Sequence, residues 1–196
     1  MLLYVIRHGQ TDWNAQRRLQ GQKDIPLNDI GRMQAAQNGR TLRGLVGDAE
    51  GFSFIASPLS RTRETMQIMR QAMGLDPSGY STDERLVELS FGDWEGHTLK
   101  EVRGFSPEKL EGRTADKWSF IPPGASAESY EILSWRIGAW LQSLDGPTIS
   151  VSHGGVIRSL FRLIGGISTN EAAELPIPQD YVLAIDTADG RMDWIN

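Results

Sequence analysis

The chain has 196 residues, with 20 Lys and Arg against 25 Asp and Glu, a net charge of −5, and no cysteine. That length suits one domain that buries a core without staples, and the missing thiols exclude disulfides, thiolate nucleophiles, zinc fingers and iron–sulfur clusters. The acidic balance offers no global attraction to nucleic acid or an anionic membrane, and only His8, His97 and His153 carry imidazole.

Leu2–Ile6 is a short apolar run ending at Arg7, and it predicts a buried strand. It is too short for a signal-peptide core or a membrane span, so a cytoplasmic protein is expected. Residues 9–28 show no clean period and are expected to form a functional loop. Asn28 or Asp29 can cap a helix over Ile30–Leu45. Phe52–Ala56 predicts a second strand, and Pro58 or Ser60 opens a helix to Met73, which Gly74 stops. Ser81–Leu89 is expected to be strand in part, ending near Glu88. Residues 92–125, with scattered Gly and isolated aromatics, predict short helices in a small lid insertion. Ser126 or Ser129 starts a helix through Leu144, with Trp135 and Trp140 among its core positions. Pro147–Val151 predicts a strand, Val156–Ile164 a helix, and Tyr181–Ile185 with Arg191–Ile195 two closing strands around Asp189-Gly190. Strands alternating with helices predict a single α/β domain over residues 1–196, a three-layer α/β/α sandwich on a mostly parallel sheet.

Ligands in such sheets bind beyond the carboxyl ends of the strands. The residues expected there are Arg7-His8-Gly9, Ser57 to Arg61, Glu88, and Ser152-His153-Gly154-Gly155. A neutral imidazole can attack phosphorus. Arg7 and Arg61 can neutralise phosphate oxygens, and the amides that open a helix after His153 can face an oxyanion. Glu88, Asp93 and Glu95 are all candidates for a general acid, and spacing alone does not choose among them. His97 and Glu101 stand at helical i, i+4 spacing, which a metal site would use, but a lid-packing histidine is the simpler reading. Trp13 and Trp94 flank motifs and are candidates for the pocket wall, whereas Trp118 is expected in the lid.

In order along the chain, these motifs resemble the histidine phosphatase superfamily, also called the phosphoglycerate mutase-like family. The resemblance rests on Arg7-His8-Gly9-Gln10-Thr11 with Asn14, on Ser57 to Thr65, on Glu88 with Phe91 to Gly96, and on Ser152 to Gly155. Asp24-x-Pro26-Leu27-x-x-x-Gly31 is similar to the family's loop before its first long helix. The resemblance implies that His8 takes the phosphoryl group and Glu88 serves the leaving oxygen and then water. It implies that Arg7, Arg61 and His153 bind phosphate, with Asn14 and the Gly154 amide as further donors and Gln20 and Gly21 touching substrate. The implied partner is a small phosphorylated metabolite, with no nucleic acid or membrane, no metal and no cofactor; a homodimer is left open. Phe91 to Gly96 look like the phosphatase branch, so hydrolysis of small phosphomonoesters is expected. A cofactor-dependent phosphoglycerate mutase and a non-catalytic phosphate-binding module are the alternatives. One departure is Ala127-Glu128-Ser129, where the family often has glycine first.

Overall fold

The computed structural model describes all 196 residues. Six strands form one sheet in the order β3-β2-β4-β1-β5-β6. They are β1 (Leu2–Arg7), β2 (Ser53–Ala56), β3 (Ser81–Thr82), β4 (Thr148–Ser152), β5 (Val182–Asp186) and β6 (Arg191–Ile195). β1, β4, β2 and β3 run parallel, while β5 and β6 close one edge antiparallel. The helices are α1 (Asp12–Ala15), α2 (Asp29–Val46), α3 (Ser60–Ala72), α4 (Leu99–Phe105), α5 (Pro107–Ala115), α6 (Tyr130–Gln142), α7 (Gly154–Leu163) and α8 (Thr169–Glu174).

Strand alternation divides the core. Leu3 and Val5 of β1 join α6, α7 and α8 on one face, with Leu133, Ile137, Trp140, Val156 and Leu160. Tyr4 and Ile6 point the other way, towards Leu42, Met66 and Met69 of α2 and α3. Both faces of the sheet are therefore covered, which is why β1 and β4 read as continuous apolar or small runs. α2 and α3 approach closely at Gly39, where a Cβ would overlap the Met69 carbonyl. A third, smaller cluster of Trp94, Val102 and Leu110, backed by Phe120, holds α4 and α5 together.

Local chemistry fixes the helix starts. Asn28 Oδ1 accepts from the Gly31 amide at 2.9 Å, and Ser129 Oγ accepts from Ile132 at 3.2 Å. Each cap of this kind stabilises by about 1 kcal/mol. The supposed loop 9–28 contains the short helix α1, closed by a capping box between Thr11 and Asn14. α8 was not expected, because its six residues carry no apolar period. Three tryptophan expectations change. Trp135 is 67% exposed, since the apolar face of α6 is set by Leu133, Ile137 and Trp140. Trp118 packs in the main core, stacked on Tyr130. Trp94 is fully buried against Phe120 and lines no pocket wall. No helix is long and apolar enough to cross a membrane.

Candidate active site

β1 delivers the first site residues. Its ladder with β4 ends at Arg7 opposite Ser152, and the His8 amide adds one more bond to the Ser152 carbonyl at 3.0 Å. His8 thus stands where sheet pairing stops. Gly9 follows because nothing larger fits: a Cβ there would overlap the Gly31 carbonyl at the start of α2. The Gly9 amide donates to Thr65 Oγ1 at 3.1 Å, and that hydroxyl donates to the Arg61 carbonyl at 2.7 Å. The close approach of Gly9 to Gly31 and the hydrogen bonds through Thr65 thus tie the first motif to α2 and α3.

His8 is buried, and its Nδ1 lies 2.8 Å from the Gly9 carbonyl. A carbonyl only accepts, so Nδ1 carries the proton and Nε2 keeps a free lone pair. Burial, then the charges of Arg61 and Arg7, push the imidazole well below its ordinary value. It is neutral at pH 7, as a nucleophile must be.

Arg61 is fully buried on the first turn of α3. Nη1 donates to the Lys23 carbonyl and Nη2 to the Gly21 carbonyl, both at 2.7 Å. Gln20 is also turned to this arginine: with its amide oriented to suit both neighbours, it donates to Thr11 Oγ1 and accepts from Arg61 Nε at 2.7 Å. Gln20 is buried, and its side chain and the Gly21 carbonyl hold Arg61 in position. Burial lowers Arg61 to about 10, which leaves it charged at neutral pH.

His153 caps β4 and precedes α7. Its Nδ1 lies 3.3 Å from Arg61 Nη2, and its Nε2 lies 2.8 Å from Ser57 Oγ. Guanidinium can only donate, so Nδ1 accepts and Nε2–H donates to Ser57. The ring meets His8 edge-on with centroids 5.2 Å apart. Burial first, and Arg61 next, push His153 well below its ordinary value.

Arg7 donates through Nη1 to the Ile177 carbonyl at 2.7 Å, while its buried Nε has no partner in the chain. Burial, followed by the charge of Arg158, lowers it to about 10. Asn14 spends its Oδ1 on the Thr11 amide and on Gln179 Nε2, each at 3.1 Å. Its amide nitrogen is left as the group that can donate to a ligand. Gln179 also donates to the His8 carbonyl at 2.9 Å. Sequence reasoning missed Gln179, and no signal marks it, since it acts across 171 positions from a loop between two short elements.

Glu88 does not sit at a strand end. β3 stops at Thr82, and a 3₁₀ turn over Glu84–Leu86 leads into extended chain. Arg136 of α6 places that segment by donating to the carbonyls of Arg85, Val87 and Glu88 while pairing with Glu128 at 3.0 Å. The Glu88 carboxylate then accepts from the Gly155 amide at 3.1 Å and from Leu89 at 3.0 Å. It lies at the N-terminus of α7, beside His153. A Cβ at Gly155 would overlap Glu88 Oε1, so a side chain there would push the carboxylate from its place. The other two acids are placed differently. Glu95 accepts from the Gln22 and Phe91 amides, and Asp93 is exposed.

The arrangement sets a neutral imidazole between two guanidinium groups with a carboxyl group nearby. It can bind a phosphoryl group, attack it and pass a proton, which are the elements of phosphoryl transfer. No group of three or more His, Asp or Glu side chains converges that could hold a metal ion. His97 meets Phe105 edge-on with ring centroids 5.0 Å apart and stands 3.9 Å from Glu101.

A family profile described as histidine phosphatase superfamily (branch 1) matches residues 3–195, and the chain belongs to that family. It is 38% identical to a probable phosphoglycerate mutase GpmB of Salmonella paratyphi C, over 98% of this chain and 87% of that protein. Among solved structures, it resembles YhfR of Bacillus stearothermophilus with TM-score 0.77 and 27% identity, covering 98% of this chain and 94% of the other. It shares its fold with a putative alpha-ribazole-5'-P phosphatase from Escherichia coli, with TM-score 0.80 and 23% identity over 100% and 94% of the two chains.

Proposed function

We propose that this chain is a metal-independent phosphatase that hydrolyses small phosphomonoesters through a phosphohistidine on His8. The observation that carries the reading is the Nδ1 contact of His8 with the Gly9 carbonyl at 2.8 Å, which leaves Nε2 free to attack. In the first step Nε2 bonds to phosphorus as the ester P–O bond breaks. Arg7 and Arg61 offset charge on the equatorial oxygens, so the charge that a metal would bring comes from guanidinium groups. The leaving oxygen takes the proton of the Glu88 carboxyl. In the second step the Glu88 carboxylate takes a proton from water, water oxygen bonds to phosphorus, and inorganic phosphate leaves with His8 restored. Glu88 is only half-buried, so water reaches the site.

The second reading is a phosphoglycerate mutase, favoured by relatives called probable GpmB at 38% identity. Hydrolysis and mutase chemistry share the first step and differ in the acceptor, water against a phosphoglycerate hydroxyl. Two measurements test the proposal. A labelled phosphomonoester is expected to leave acid-labile label on the wild type and none on His8→Ala; equal label on both defeats the covalent step. With 3-phosphoglycerate, release of inorganic phosphate is the expected result, and 2-phosphoglycerate as the main product establishes the mutase.

A further inference from the structure

The chain between α8 and β5, residues 175–181, passes beside the first motif and meets it at three residues. The Ile177 carbonyl accepts from Arg7 Nη1 at 2.7 Å. Gln179 Nε2 donates to the His8 carbonyl at 2.9 Å and to Asn14 Oδ1 at 3.1 Å. The Gln179 carbonyl in turn accepts from Asn38 Nδ2 at 3.0 Å, and Asn38 is a buried polar side chain of α2. Pro176 and Pro178 stand on either side of Ile177, so two φ angles of this strap are set before folding. The mechanism above gives Gln179 no task.

Amide orientation is passed along these contacts. The His8 carbonyl can only accept, so Gln179 turns its NH2 group to it. The same NH2 group reaches Asn14, so the Asn14 atom that faces it is the oxygen. The Thr11 amide donates to that oxygen as well, at 3.1 Å. With two donors on Oδ1, Nδ2 of Asn14 is directed away from both. Gln179 therefore decides which end of the Asn14 amide is offered to a ligand, and the His8 backbone and Asn38 decide where Gln179 stands.

We propose that Gln179 is a positioning residue for phosphoryl transfer, which acts by holding the Asn14 amide with Nδ2 aimed at the phosphoryl oxygens. The inference rests on the phosphoryl-transfer reading of the site. An amide held in place before the ligand arrives loses little freedom on binding it, so the donor acts at its full strength. The strap takes Arg7 through the Ile177 carbonyl and Asn14 through the Gln179 side chain, so one short segment aims two of the phosphate donors.

Two variants of the full chain test this. Gln179→Met keeps the length of the side chain and removes its donors, whereas Gln179→Glu keeps the shape but turns oxygens to the two oxygens it should serve. Steady-state kinetics with p-nitrophenyl phosphate and calorimetry with inorganic phosphate read both. Gln179→Met is expected to lower kcat/KM about fivefold or more and to weaken phosphate binding by a similar factor. Gln179→Glu is expected to lose more than Gln179→Met; a side chain that merely fills space gives the reverse order, since glutamate is the closer match in shape. In an Asn14→Ala chain, Gln179→Met is expected to cost less than about twofold, because the group it acts through is gone. Values within about twofold of wild type in Gln179→Met overturn the proposal, as does a Gln179→Met loss that persists undiminished in Asn14→Ala, or a Gln179→Glu chain that outperforms Gln179→Met. If phosphate binding follows the expected pattern but the wild type hydrolyses no phosphomonoester, the phosphatase reading fails and the positioning role stands.

Discussion

His8 and Glu88 reach the same point by different routes. His8 is delivered by the end of a ladder, and its tautomer follows from the neighbouring carbonyl. The Glu88 carboxylate depends on the Gly155 and Leu89 amides and on the space left by the absent side chain at position 155. Gly155→Ala is therefore expected to displace the carboxyl group and to lower kcat about 10²-fold or more, the loss also expected of Glu88→Gln. Phosphate inhibition should change far less in both. Steady-state kinetics with phosphate as inhibitor checks this, and a Gly155→Ala enzyme with normal kcat refutes the assignment of Glu88. At this scale the motif residues were legible, because His8, Arg61 and His153 stand beside predicted element boundaries. Ser57 and Gln179 were not assigned roles, since their partners are 96 positions away for Ser57 and 171 for Gln179. Gln20 and Gly21 turned out to brace Arg61, a task that only the folded loop reveals.

Elements are joined here by glycines whose partners are backbone atoms. Gly39 sits where α2 crosses α3, and a Cβ would overlap the Met69 carbonyl and crowd Ala72. Gly44, five positions on in the same helix, faces open space and solvent. Helix propensity favours alanine over glycine by about 1 kcal/mol at either place. Gly44→Ala should stabilise by about that amount. Gly39→Ala should destabilise by about 1–3 kcal/mol, because overpacking outweighs propensity. Urea midpoints of the two variants measure the contrast; two shifts of the same sign refute the packing argument. The long helices and the apolar strands were legible as elements, since period and caps agree there. β3 was overestimated because only Ser81 and Thr82 find a partner in β2, and Arg136 satisfies the carbonyls beyond them. α1 and α8 escaped because four and six residues are too few to show a period.

Across the whole molecule, the site opposes the stability of the fold in acid. His8 and His153 are neutral in the native chain and are held well below the 6.5 of a free imidazole. Below that value the unfolded chain takes up protons that the native chain refuses, so stability falls as pH falls. Between pH 7.5 and 5.5 the expected loss is about 1.4 kcal/mol per histidine, or roughly 2–3 kcal/mol for the pair. Urea unfolding at the two pH values measures it. His8→Asn should remove about half the slope, and a wild type equally stable at both values shows that the histidines are protonated when folded. A bound phosphate brings negative charge to the same place and should reduce the pH dependence, since it lets the imidazoles charge.

The amino-acid sequence by itself determined the alternation of strands and helices, the two-sided burial of the sheet, and which imidazole and guanidinium groups stand at strand ends. Those features are local, written in period, caps and motif spacing. Tertiary structure decided which carboxyl group reaches the N-terminus of α7, because Glu88 is placed by Arg136 and Gly155 from distant parts of the chain. It also decided that His8 is neutral, since that follows from burial beside two arginines. The chain as a whole is acidic, and only folding brings Arg7 and Arg61 together beside His8.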